Sequence, residues 1–180
     1  MKKASIFAIA CALTAAAGVA QAQVKSPLYV EGNITSINVT RDDGVKFKPL
    51  IATAIVGYDL HPNLAVEGML GVNASKSTVT VAGNSETLKF DTSYGAFLKP
   101  RYAIDNQFEV FARLGYLSSG SKTTFSDGSS VSGRDSDFAY GLGGNYNIDK
   151  NLYATLGYMV YYKKDGIKVD GFNVGVGYRF

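Results

Sequence analysis

The chain has no tryptophan, one histidine and one cysteine in 180 residues. Cys11 lies inside an N-terminal apolar stretch, so the rest of the sequence has no thiol for a disulfide or a thiolate metal site. His61 stands beside Pro62 in a turn-like segment, with no second imidazole and no Cys/His/carboxylate spacing of the kind that holds a metal. An excess of either charge is also missing. Eighteen Lys and Arg face fifteen Asp and Glu, scattered rather than clustered, which argues against a nucleic-acid partner. Past residue 22 no apolar run approaches the roughly 20 residues a spanning helix requires.

At the amino terminus, Met1-Lys2-Lys3 gives a basic start and Ile6 to Val19 an uncharged apolar stretch. Ala20-Gln21-Ala22 then supplies a small-x-small cleavage site. Together they predict a secretory signal peptide over 1–22, cleaved to leave a single exported domain over 23–180. A lipoprotein reading of Cys11 is disfavoured, because the preceding Ala8-Ile9-Ala10 lacks the usual leucine and the apolar run continues past the cysteine. Tyrosine and glycine are abundant, at 12 and 20 residues, a composition that favours sheets over helices.

The dominant signal is an alternation of period two. In the closing segment Phe172, Val174, Val176, Tyr178 and Phe180 share one face, while Asn173, Gly175, Gly177 and Arg179 share the other. Seven earlier segments repeat the pattern: 28–34, 50–58, 64–72, 94–102, 108–116, 138–146 and 152–162. The apolar faces carry no charge. Glu31, Glu67, Lys99, Arg101, Glu109, Arg113 and Arg179 all fall on the opposite faces. A charge facing lipid at mid-depth costs roughly 2–4 kcal/mol, so this segregation is what a bilayer enforces, and a soluble lipid carrier would reverse it. The prediction is an all-β, eight-stranded antiparallel transmembrane up-and-down barrel. Ile51, Thr53 and Ile55 make the second segment apolar on both faces, so its register is the least constrained.

Short connections at 59–63, 103–107 and 147–151 alternate with mostly longer ones at 38–48, 75–87, 118–136 and 163–168. That asymmetry sets the short turns and both termini in the periplasm and the long loops outside the cell. Tyr58, Tyr102, Tyr146 and Tyr178 then mark one membrane boundary, and Tyr116 and Tyr162 the other. Pro100 lacks an amide hydrogen for a closed ladder and is expected near the periplasmic rim.

With leader, eight segments and the terminal Gly175-Val176-Gly177-Tyr178-Arg179-Phe180 in hand, the sequence resembles the small outer-membrane barrels typified by OmpX, the OmpA barrel domain and the opacity-type surface proteins. The Gly57-Tyr58 to Pro62-Asn63-Leu64 hairpin and the Asn151-Leu152 to Gly157-Tyr158 segment are similar to family hairpins. The resemblance implies that Gly175, Val176, Tyr178 and Phe180 form the signal read by the barrel-assembly machinery. It also implies a home in the bacterial outer membrane, in contact with its lipid and lipopolysaccharide. No peptidoglycan-binding domain is expected after the barrel.

An eight-stranded interior is just wide enough for side chains to fill, so the inward charges should neutralise one another as a plug. Arg101 and Glu109 flank the Asp105 turn and are expected to face each other; Glu67 is expected near Lys99 or Arg101. A narrow pore for ions or small solutes is the alternative. Some small outer-membrane barrels act on lipid A as acyltransferases or deacylases, but His61 sits at the wrong end for outer-leaflet chemistry, and the loop serines have no histidine to activate them. No enzyme, cofactor or metal is expected. The long loops are the expected functional surface, with Arg41, Lys46, Lys48, Lys122 and Arg134 available to lipopolysaccharide phosphates or to a host or matrix ligand.

Overall fold

A computed structural model of the chain describes residues 26–41, 46–75, 77–81, 84–124, 128–164 and 166–180. The expected leader over 1–22 lies outside them. Ten strands follow in order: β1 (Leu28–Arg41), β2 (Lys46–Phe47), β3 (Leu50–His61), β4 (Leu64–Asn73), β5 (Ser77–Val81), β6 (Asn84–Ala103), β7 (Phe108–Thr124), β8 (Ser130–Asn147), β9 (Leu152–Lys164) and β10 (Ile167–Arg179). Eight of them form one antiparallel sheet in the order β10-β9-β8-β7-β6-β4-β3-β1, and β10 pairs back onto β1 to close it. The closing seam runs from Tyr29 opposite Arg179 to Arg41 opposite Ile167. The two short strands pair only at the long-loop end, β2 with β1 and β5 with β6.

The alternation read from the sequence is the inside–outside alternation of the barrel. Val56, Leu70, Leu98, Leu114, Leu142, Leu156 and Val174 are exposed, while Tyr29, Ile55, Phe97, Phe111, Met159 and the charged Glu31, Glu67, Lys99 and Arg113 are buried, with Arg101, Glu109 and Arg179 half-buried. Ile51 and Ile55 turn inward and Leu50, Val56 and Tyr58 outward, which fixes the β3 register as expected. A continuous belt of exposed leucine, valine and aromatic side chains far exceeds the apolar patch a soluble monomer presents, and hydrocarbon is the solvent that suits it.

Three local departures matter. In β9 the pairing steps from Val160 opposite Asp170 to Tyr162 opposite Val169, leaving Tyr161 as an extra residue. Such a bulge inverts the side-chain parity beyond it. Tyr162 therefore packs against the buried Ile37, Val39, Phe47 and Val169 cluster and is not a boundary aromatic. Tyr158 takes that place, its ring 4.8 Å from Phe172. Second, Glu109 stands opposite Ala103, and Arg101 opposite Phe111, so Arg101 and Glu109 are diagonal rather than facing. The cause is the turn: Asp105 Oδ1 accepts from the amides of Gln107 and Phe108, which centres the hairpin on Asn106.

Third, the expected long loop at 118–136 is mostly sheet. β7 and β8 stay paired up to Thr124 opposite Ser130. Serine, threonine and glycine dominate there, and the one apolar residue of the paired stretch, Val131, is exposed, because this part of the ladder stands in water, where nothing demands a greasy face. Pro100 lies opposite Leu64 beside the Pro62-Asn63 turn. The ladder to β7 is interrupted at Lys99 and Pro100 and resumes in the same register at Arg101, as the missing amide hydrogen requires.

Candidate functional site: a charged plug below an apolar cup

The barrel interior is layered. At mid-height Glu31 (β1), Glu67 (β4), Lys99 (β6) and Arg113 (β7) meet as two carboxylates and two cations, all buried. Arg113 donates through Nε to Glu67 Oε2 at 2.6 Å and through an Nη to Glu31 Oε1 at 2.8 Å. Lys99 Nζ lies 3.2 Å from Glu67 and 3.6 Å from Glu31. Two tyrosines complete the shell: Tyr29 donates to Glu67 at 2.6 Å and Tyr153 to Glu31 at 3.1 Å. Asn33 adds a third donor to Glu31 at 2.9 Å. The Phe111 ring underlies both cations, with Lys99 Nζ 4.4 Å and the Arg113 guanidinium 4.8 Å from its centroid. Charges withdrawn from water need balance of this kind, since an unpaired one costs several kcal/mol.

Charge alone marks these four residues as inward-facing, whereas no charge marks Tyr29, Tyr153 or Asn33 as members of the same cluster. Their signal is glycine. Gly57 and Gly177 are the register partners of Tyr29 and Tyr153. A β-carbon at either glycine would collide with the tyrosine ring that lies across it.

Arg101, Glu109 and Arg179 form a separate group at the periplasmic rim. Arg101 pairs most closely with Asp59, at 2.7 Å, a residue expected from the sequence only in a turn; its contact with Glu109 is longer, at 3.8 Å. Arg179 reaches Glu109 at 3.5 Å and donates to Asn147 Oδ1 at 2.6 Å. The Arg179 guanidinium also sits over the Tyr153 ring, 4.3 Å from its centroid. His61 belongs to the same end, where its Nδ1 accepts from the Asn63 amide at 3.2 Å. Among the described residues no three His, Cys, Asp or Glu side chains gather as a metal site would require.

Above the plug the lumen turns apolar, with Ile37, Ile51, Phe90, Leu117 and Val169 buried. On the outer wall, aromatic residues mark both boundaries: Phe108 against Tyr146 and Tyr178 against Phe180 toward the short turns, Tyr116 against Phe138 toward the long loops. Tyr58 and Tyr102 are exposed on the short-turn side. Arg134 (β8) crosses the outer face of β7 at Gly120 and donates to the Thr92 carbonyl at 3.0 Å. Its guanidinium stands 5.2 Å from the Tyr94 ring centroid. Lys168 lies 3.0 Å from Asp170 and 3.3 Å from the Tyr158 hydroxyl. Lys48 and Lys122 are exposed, whereas the side chains of Arg41 and Lys46 fall outside those described.

A closed antiparallel barrel with an apolar exterior, aromatic boundaries and a charged, side-chain-filled interior defines an integral outer-membrane protein. The outer membrane protein beta-barrel domain family matches residues 7–180, and the chain belongs to that family. The virulence membrane protein PagC of Salmonella typhimurium is 35% identical over 102 residues, 51% of this chain and 54% of PagC. The aligned region therefore spans about half the length of that relative. Two solved structures share the fold. Ail, the attachment invasion locus protein of Yersinia pestis, matches with TM-score 0.64 and 20% identity over 87% of this chain and all of Ail. Neisserial surface protein A matches with TM-score 0.67 and 14% identity over 88% of this chain and all of that protein. Ail has also been crystallised in complex with the heparin analogue sucrose octasulfate.

Proposed function

We propose that the protein is a non-enzymatic surface barrel whose extracellular rim binds anionic groups, contributing to envelope integrity through lipopolysaccharide phosphates and to contact with sulfated host or matrix polymers. The observation that carries this reading is Arg134. It is held against Tyr94 on the outer wall, just beyond the level of Tyr116 and Phe138, where a bilayer presents its headgroups. A guanidinium there offers paired donors to phosphate or sulfate. The Ail complex with a polysulfated sugar and the virulence designation of PagC support the same class of role. The terminal Gly175, Val176, Tyr178 and Phe180 are proposed as the assembly signal, and 1–22 as the cleaved leader.

The test is retention of the purified full chain on immobilised heparin and on lipopolysaccharide aggregates. Replacing Arg134 and Lys122 by serine together is expected to weaken both, with heat-modifiable gel mobility unchanged. Undiminished retention by the double variant would overturn the reading.

A further inference from the structure

The extracellular half of the lumen encloses a cavity of about 150 Å³. Its walls include Ile37, Ile51, Met69, Phe90, Leu117 and Val169, contributed by strands on several sides of the barrel. The buried Glu31, Glu67, Lys99 and Arg113 fill the lumen lower down. The space is thus a blind cup, not a segment of a channel. The walls are apolar over most of their area but also carry the hydroxyls of Thr35, Thr53, Ser93 and Ser119, and a void of this size accommodates a body about as large as a benzene ring.

Among the described residues the charge around the cup is one-sided: Asp135 and Asp137 of β8 both line it, and none of the described lysines or arginines does. Neither carboxylate has an ion-pair partner among the described residues; Asp137 accepts only from the neighbouring Phe138 amide, at 2.8 Å. Asp135 is exposed and Asp137 half-buried, which sets the two acids toward the open end while the apolar residues form the depth. Arg134 on β8 and Lys122 on the neighbouring β7 sit on positions of opposite parity to those lining the cup and face outward. Two uncompensated carboxylates over a low-dielectric pocket raise the local concentration of cations and repel anions.

We propose that this cup is a binding site for a small amphipathic amine: an aromatic or short-chain apolar body seated among Ile51, Phe90, Leu117 and Val169, with its ammonium at Asp135 and Asp137. The site lies inside the barrel and is independent of the outer rim assigned to phosphate and sulfate.

The experiment uses the full chain, isotopically labelled and inserted in nanodiscs, with benzylammonium as probe, benzyl alcohol as its neutral analogue and benzoate as its anionic one. Benzylammonium is expected to shift the amide signals of Leu117, Ser119 and Val169 saturably. Its apparent affinity should exceed that of the alcohol about tenfold, and benzoate should give no saturable shift. The Asp135→Asn/Asp137→Asn variant should lower the amine to the level of the alcohol. Ile51→Phe, or Ser119→Leu if the first does not give a heat-modifiable barrel, should fill the cup and abolish both. Absence of saturable shifts with the amine, equal response to all three probes, or shifts that survive the filling variant would each overturn the proposal.

Discussion

The ring of Tyr153 lies across Gly177, in the space a β-carbon would need, and from there its hydroxyl reaches Glu31. Glycine at 177 is thus part of the interior hydrogen-bond network although it contributes no polar atom. Gly177→Ala is expected to displace the ring and destabilise the barrel by about 1–3 kcal/mol, as overpacking does. Combining it with Tyr153→Ala should recover part of that loss. Urea titration of the protein in lipid vesicles measures both, and additive costs would contradict the assigned contact.

Removing one partner from the four-charge cluster leaves a buried charge unmatched. Arg113→Met is expected to cost about 3–5 kcal/mol. With Glu67→Gln added, the total should fall well short of the sum of the two single changes. Gel mobility before and after heating, across a urea series, reads this directly.

The outer face is specified by lipid, so its tolerance of charge should depend on depth. Leu142 is 71% exposed, midway along β8 between the boundary aromatics Phe138 and Tyr146, and Leu142→Arg is expected to cost about 2–4 kcal/mol. Ile104, comparably exposed but in a short turn, should accept arginine with little effect. Equal costs at the two sites would argue against a hydrocarbon surround.

At the periplasmic end, the amides of Asn151 and Leu152 both donate to Asp149 Oδ1, at 2.8 Å. Those hydrogen bonds hold the Asp149 carboxyl below the ordinary aspartate range. A depressed carboxyl contributes fully above the unfolded value and loses its contribution as pH falls through the folded one. NMR titration should therefore place its midpoint below about 3.9, with the Asn151 and Leu152 amides moving in step. A midpoint at or above that value would contradict the turn geometry.

The membrane-spanning part of each strand is legible in the sequence because lipid imposes a strict rule on every second residue, and Leu114, Leu142 and Leu156 obey it. The interior is only partly legible. Glu31, Glu67, Lys99 and Arg113 announce an inward face by their charge, but charge does not say which partners meet across a lumen. Tyr29 and Tyr153 are hidden because an inward tyrosine reads like any strand tyrosine until the glycine beside it is known. Tyr162 misleads for a different cause. Period-two reading assumes an unbroken ladder, and one extra residue at Tyr161 swaps the inner and outer faces for the remainder of β9. Beyond the bilayer the rule lapses altogether, so polar sheet such as 130–137 reads as loop.

The seam between β1 and β10 joins the first and last strands of the wall over their whole length. Every other strand finds its mate from a sequence neighbour through a hairpin or loop, yet this pairing spans almost the entire polypeptide. Ring closure must therefore wait until the final rung has been made, and until then two bare edges invite pairing with foreign strands. Exposure of these raw borders during transit, rather than any weakness in the finished cylinder, is where mispairing threatens this molecule.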